Sequence, residues 1–91
     1  MTKIRALLEA NGIEYETKNE YLVIMLEKDC IWVNGFGEDM HYDKKLSIHK
    51  NTYGDYIIME TTGYNQSKKL FWGTRQANAI EVLRKRLEVT A

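Results

Sequence analysis

Apolar residues recur at helical spacing at both ends of the chain, and this spacing predicts two helices. The first, over 2–11, has an apolar stripe of Ile4, Leu7 and Leu8. The second has a stripe of Ala79, Ile80, Leu83 and Leu87, flanked by Val82. Thr2 and Thr74 are the predicted N-caps, because a threonine hydroxyl can accept a hydrogen bond from a free amide of the first turn. Gly12 follows the first helix, where a left-handed C-terminal conformation favours glycine.

Between the helices the spacing changes to that of β-strands separated by turn residues. Strands are predicted over 13–17, 20–27, 30–33, 40–42 with an extension toward 48, 55–61 and 68–72. Asn34-Gly35 predicts a two-residue type I′ hairpin turn, because both residues tolerate positive φ. The short connections allow only antiparallel pairing. The sequence therefore predicts one α+β domain over 1–91, in which a helix at each end packs on an antiparallel sheet of four to six strands in two layers.

The second face of this sheet is the most informative feature of the pattern. The run Tyr21–Leu26 is apolar without interruption, so both faces of that strand need cover. Two short helices carry enough apolar side chains for one face only. Aromatic residues lie in the strands at Trp32, Tyr42, Tyr56, Phe71 and Trp72. If they remain uncovered they form an apolar patch of the kind that marks interfaces; the alternative is a sheet that curls into a partial barrel.

Composition and charge place the chain among ordinary folded proteins. Hydrophobic residues make up 44% and charged residues 29%, and the formal net charge is zero. The charges are divided, since residues 1–43 have a net charge of −5 and residues 44–91 a net charge of +5. This division predicts an acidic side and a basic side, unless folding mixes the two halves. The single cysteine and the absence of an apolar signal-peptide run lead us to expect a cytoplasmic protein.

The candidate groups for catalysis or metal binding are few. Asp39, His41 and Asp43 alternate on one face of a predicted strand, but a structural zinc site needs more thiolate or imidazole ligands than this chain offers. Cys30 would need His41 as a base across the hairpin, and a cysteine in an apolar strand is usually an unreactive buried thiol. The segment Gly35-Phe36-Gly37 is not followed by the helix that a phosphate loop requires. We expect no enzymatic activity, no metal and no cofactor.

The pattern favours a protein-interaction module that acts as an accessory protein or an inhibitor. Its small size fits a bacterial or phage origin. Its partner would be another protein or a second copy in a homodimer. The predicted interface consists of Trp32, Phe36, Tyr42, Tyr53, Tyr56 and Trp72, because tyrosine and tryptophan are enriched in interface hot spots. The alternative is nucleic-acid binding by basic residues interleaved with aromatic ones. These residues are Lys68, Lys69, Arg75, Arg84, Lys85 and Arg86.

Overall fold

The computed structural model describes residues 1–89 and has five strands between two helices. The elements are α1 (Thr2–Ala10), β1 (Glu16–Lys18), β2 (Tyr21–Val33), β3 (Asp39–Lys50), β4 (Tyr56–Gly63), β5 (Gln66–Gly73) and α2 (Gln76–Leu87). Each strand pairs antiparallel with the next, in the spatial order β1-β2-β3-β4-β5. This arrangement confirms the predicted α+β fold. The sheet is open, because β1 and β5 form its two edges instead of pairing to close a barrel.

One face of the sheet packs against both helices, and the core lies between these two layers. Along β2, β3 and β4 alternate residues point toward the helices, because successive side chains of a strand point to opposite faces. The buried strand residues are Leu22, Ile24, Leu46, Ile48, Tyr56 and Ile58. The helices contribute Ile4, Leu7, Leu8, Ala79 and Leu83 to the same core. Both predicted helical stripes are therefore used on one side of the sheet.

The helix ends differ from the prediction at both N-termini. Helix α1 is capped by Met1 and α2 by Arg75, without a side-chain capping hydrogen bond in either case, so the Thr2 and Thr74 predictions are wrong. The carbonyl of Met1 accepts the Arg5 N–H at 3.1 Å, which starts α1 one residue earlier than expected. The amide of Ile4 in α1 instead donates to the side-chain oxygen of Gln76 in α2, at 3.3 Å. Contact between the helices thus satisfies a donor that a local cap was expected to satisfy.

The C-terminus of α1 agrees with the prediction. Gly12 has a φ of 67°, and its N–H donates to the Glu9 carbonyl at 3.1 Å. The N–H of Ile13 reaches back to the Leu8 carbonyl at 2.9 Å. This pair of hydrogen bonds is the Schellman motif, which requires a residue in the left-handed region at the position of Gly12. Ile13 packs against the core, so the motif also turns the chain toward the sheet.

The break predicted after residue 27 is wrong, because β2 continues to Val33. The pairing of β2 with β3 is irregular between Met25 and Cys30. The polar residues that suggested a turn lie in these bulges. Asp29 has a φ of 55°, and its N–H donates to Oδ1 of Asp43 at 2.9 Å. Bulges add residues to one strand without ending the ladder. The β2–β3 hairpin is consequently much longer than the sequence pattern indicates.

The two-residue type I′ turn predicted at Asn34-Gly35 is also wrong. Neither residue has a positive φ, whereas both residues of the β1–β2 turn do, Asn19 with 46° and Glu20 with 70°. The β2–β3 connection is a longer loop, closed by a hydrogen bond from the Asn34 N–H to the Glu38 carbonyl at 3.0 Å. The Asn34 side chain accounts for the longer loop, because its oxygen accepts hydrogen bonds from backbone N–H groups of the loop.

The β2–β3 and β3–β4 loops share one conformation. In each, the side-chain oxygen of an asparagine accepts the N–H groups of the second and fourth following residues, at 2.8 and 3.0 Å for Asn34 and at 3.0 and 2.9 Å for Asn51. The third following residue is a glycine in the left-handed region, Gly37 with a φ of 78° and Gly54 with 87°. Both loops have the sequence asparagine, any residue, aromatic, glycine, acidic residue. This repeated pattern fixes both ends of β3.

Replacing Ile58 by alanine tests the location of the core. Ile58 is fully buried, so we expect Ile58→Ala to lower the free energy of unfolding by about 2–5 kcal/mol. Lys85→Ala is the control, because Lys85 is exposed on α2 away from the core and surface substitutions usually change stability by less than about 0.5 kcal/mol. Urea denaturation followed by circular dichroism measures both. Equal losses for the two variants would contradict the placement of the core.

Replacing Asn51 by alanine tests the shared loop conformation. The substitution removes both side-chain hydrogen bonds to the loop amides, so we expect a loss of about 1–2 kcal/mol in the free energy of unfolding. Asn78→Ala, on the exposed surface of α2, is the control. If the two alanine variants unfold at the same urea concentration as the wild type, the asparagine does not hold the loop.

Candidate functional site

The face of the sheet opposite the helices has no covering element among residues 1–89, and we call it the open face. Its β2–β5 side chains are Tyr21, Val23, Met25, Lys45, Ser47, His49, Ile57, Met59, Thr61, Ser67, Lys69 and Trp72. The strand register fixes this set, because these residues alternate with the buried ones and pair across the strands. Glu16 and Lys18 of β1 extend the face beside Val23 and Tyr21. Two shallow depressions share Val23 and Lys45 in their linings.

One end of the open face is an aromatic row. The rings of Tyr21 and His49 stack with their centroids 4.3 Å apart. Ile57 lies between His49 and Trp72 in the strand register. Trp72 is 56% exposed, and its indole N–H donates to the Asp55 carboxylate at 2.9 Å, which fixes the orientation of the ring. The row therefore presents a broad apolar surface with an anchored tryptophan.

Lysine side chains lie among the apolar residues of the open face. Lys69 Nζ is 4.6 Å from the centre of the Trp72 ring, a cation–π arrangement. Lys45 is paired with Met25, and Lys18 with Tyr21. Glu16 is the acidic residue among these strand positions, and its carboxylate lies 3.8 Å from Lys18 Nζ. The face thus combines apolar area with an excess of positive charge.

The β2–β3 hairpin projects beyond its neighbouring strands, and we call residues 27–43 the hairpin arm. The ladder of β1 ends at Val23, and that of β4 reaches only to Leu46 of β3. The arm contains Glu27, Asp29, Glu38, Asp39 and Asp43 against the single Lys28. Much of the negative charge of residues 1–43 is therefore concentrated on the hairpin arm. Its exposed apolar residues include Ile31, Val33 and Phe36.

The six residues predicted to form the protein interface do not form one surface. Tyr56 is 7% exposed and belongs to the core, so its assignment to an interface is wrong. Trp72 lies on the open face as described. Phe36 and Tyr53 are 90% and 88% exposed, but they occupy the tips of the two loops at opposite ends of β3. Because a 12-residue strand is roughly 40 Å long, one compact partner surface cannot contact both.

Trp32 and Tyr42, the two remaining residues of the predicted interface, lie on the side of the hairpin arm that is opposite the open face. Trp32 stacks on Tyr64 of the β4–β5 turn, with ring centroids 6.1 Å apart. Tyr42 is half-buried and pairs with Cys30. Strand alternation places Tyr42 on the same side of β3 as the buried Leu46. Contacts within the chain thus account for part of the aromatic surface that the sequence suggested was free.

The residues that sequence reasoning omitted are Val23, Met25, Ile57 and Met59. They carry most of the aliphatic surface of the open face. Their alternation with Leu22, Ile24 and Ile58 is visible in the sequence. It could not reveal which alternating set faces the helices, because both sets are apolar.

The six basic residues proposed for nucleic-acid binding are separated in the structure. Lys68 and Arg86 both contact Glu60 on the helix side of the sheet, and Lys69 lies on the open face. Arg75 is at the N-terminal end of α2, whereas Arg84, Lys85 and Arg86 are in its last turn. Arg84 also forms an ion pair with Glu81. Acidic residues pair with some of these six side chains, and the others lie on different parts of the molecule. The six therefore do not make one continuous basic surface.

The candidate chemical groups are placed apart as well. Cys30 pairs with Tyr42 and His41 with Ile31, so strand alternation puts Cys30 and His41 on opposite faces of the arm. The expectation that His41 could face Cys30 is therefore wrong. His41 Nδ1 lies 2.7 Å from Oδ1 of Asp29. Within residues 1–89, no group of three or more histidine, cysteine, aspartate or glutamate side chains could hold a metal ion.

The Cys30 thiol provides a test of the arm structure. Burial, and secondly the nearby Glu27 carboxylate, raise the pKa of Cys30 above its ordinary value. Because only the thiolate reacts with iodoacetamide, we expect the alkylation rate to rise at a higher pH in the folded protein than in urea. Glu27→Gln should move the profile to lower pH, and Glu20→Gln should not. Identical profiles for folded and unfolded protein would contradict this environment.

No family model, curated protein or solved structure matches this chain. None of the helices within residues 1–89 has the length and apolar character needed to span a membrane.

Proposed function

We propose that this protein is a non-enzymatic interaction module that binds an acidic, partly apolar protein surface through its open face. The observation that carries the proposal is the uncovered sheet face, on which Val23, Met59 and Trp72 lie beside Lys45 and Lys69. Apolar area supplies affinity when it is removed from water. The lysines add attraction to an acidic partner and select the orientation in which it docks.

Trp72 is the expected hot spot of this surface. Its ring is large and held in place by the Asp55 carboxylate, so binding needs little further ordering of the side chain. Tryptophan anchors surrounded by apolar contacts account for a large share of the binding energy in protein interfaces. The stem and charge of Lys69 lie over one side of the ring, where they can contact the partner together with it.

Nucleic-acid binding by the same face is the second candidate. Tyr21, His49 and Trp72 with Lys18, Lys45 and Lys69 are the side-chain types that bind single strands on sheet surfaces. The hairpin arm weighs against this candidate, since Asp39 and Asp43 point to the same side of β3 as Lys45. A polyanion lying along the face would meet these carboxylates. A protein partner can avoid or complement them, and for this reason we favour a protein.

Capture experiments with tryptophan variants test the proposal. Tagged wild-type protein is incubated with lysate of the source cells, with and without nuclease. We expect Trp72→Ala to weaken capture by about thirtyfold, the loss that corresponds to a hot spot of about 2 kcal/mol. Trp32→Ala is the matched control, because Trp32 lies on the other side of the hairpin arm and stacks on Tyr64. Circular dichroism confirms that both variants are folded.

Three results distinguish the candidates. A protein that survives nuclease, is lost with Trp72→Ala and is retained with Trp32→Ala supports the proposal. Capture that disappears after nuclease replaces it by nucleic-acid binding, and the dependence of binding on salt concentration then gives the number of phosphates contacted. Equal capture by both tryptophan variants and by Met25→Glu would show that the open face is not the binding surface.

A further inference from the structure

The side of β3 that belongs to the open face is divided by charge along its length. From the aromatic row toward the arm it carries His49, Ser47 and Lys45, and then Asp43, His41 and Asp39. The pairing of β3 has no insertion of its own, since the extra residues of the bulges lie in β2. Strand alternation therefore keeps these odd-numbered residues on one side. The long face therefore has two ends. The lysine end carries Lys18, Lys45 and Lys69. The carboxylate end carries Asp39 and Asp43.

We propose that the open face binds the same face of a second copy, forming an antiparallel homodimer in which the hairpin arm of each protomer lies on the lysine end of the other. This inference rests on the proposed function, because it names a partner for the same surface. The arm has the acidic and partly apolar character that the open face selects. One copy therefore carries both the docking surface and a segment that fits it.

The charge pattern determines the orientation of the two copies. A two-fold axis between the faces and perpendicular to the strands places Asp43 of one copy near Lys45 of the other and brings Asp39 to the end of the face that carries His49 and Lys69, and does so twice. Stacking with the strands parallel would place like charges together, which disfavours that orientation. The contact is self-complementary and closes on itself, as in most homodimers.

The apolar residues follow the same complementarity. Ile31 and Val33 are each 58% exposed. They alternate with Trp32 and therefore lie on the side of the arm that carries Asp39 and Asp43. In the antiparallel arrangement, which sets each strand over the same strand of the second copy, they come near Tyr21 and Val23 of the second copy. Both sets of exposed apolar side chains are thereby removed from water, and apolar burial drives association.

The size of the face is sufficient for a stable dimer. The molecule measures 44 by 30 by 23 Å along its principal axes, and the longest strand of the sheet, β2, has 13 residues. Stable complexes bury about 800 Å² on each partner, which is well within a face of this size. Pairing by the β2 edge is disfavoured, because the bulge near Asp29 interrupts that edge.

Charge exchange between the two ends tests this arrangement. The face variant is Lys45→Glu/Lys69→Glu, and the arm variant is Asp39→Lys/Asp43→Lys. Each variant alone brings like charges together at both contacts, so we expect the dimer dissociation constant to rise at least about tenfold. A mixture of the two variants restores opposite charges at both contacts and should form a heterodimer. Sedimentation velocity over a range of concentrations measures all three.

Two controls separate charge from folding. Lys3→Glu/Lys85→Glu has the same net charge as the face variant but alters only the helices, so it should dimerise like the wild type. Circular dichroism checks the fold of every variant. If the arm variant is unfolded, Asp39→Lys/Asp43→Asn replaces it, because the asparagine oxygen can still accept the Asp29 N–H that Asp43 accepts.

Dimers of the wild type and of the mixture, together with weakened self-association of each variant, support the proposal. A wild-type protein that stays monomeric at all concentrations overturns it, as does a dimer unaffected by either charge reversal. A mixture that fails to associate when both variants are folded overturns the pairing of arm with lysine end. A monomeric wild type whose capture of another protein is lost with Trp72→Ala would refute this dimer while supporting the proposed function.

Discussion

The pairing of β3 with both of its neighbours is the constraint on which the rest of the structure depends. This strand joins the two halves of the sheet, and a nearly identical asparagine–glycine loop fixes each of its ends. Its register with β2 and β4 decides which side of every central strand faces the helices. Leu46 and Ile48 point into the core, so Lys45, Ser47 and His49 must point away from it. The open face is a direct consequence of this alternation.

The open face is apolar although nothing in residues 1–89 covers it. In strands exposed on one face, polar residues normally occupy the solvated side. Here β2 carries Val23 and Met25 and β4 carries Ile57 and Met59 on that side, in addition to Trp72 on β5. Lysines and serines in the neighbouring positions keep the surface hydrated without removing its apolar character. Such a composition is typical of a binding surface more than of an ordinary solvated sheet face.

The zero net charge of the chain conceals a marked separation of charge. The bulged continuation of β2 carries the hairpin arm beyond the rest of the sheet, and with it a group of carboxylates. The lysines that balance them lie on the lysine end of the open face or on the helix side, where Glu60 binds two of the basic residues. Complementary ends of this kind give an interaction its orientation.

The sequence by itself determined the two helices, the antiparallel order of the strands and the Gly12 helix end, because these depend on local spacing and local backbone preferences. It also indicated that the helices could cover only one sheet face. Only the tertiary structure decided that Tyr56 is buried while Ile57 is outside, that the polar residues near Asp29 form a bulge, and that the basic residues are divided among several surfaces. These outcomes depend on strand register and on contacts between distant residues, and a shift of one residue in register exchanges the two faces of a strand. Where both alternating sets are apolar, as in β2, the pattern alone cannot select between them.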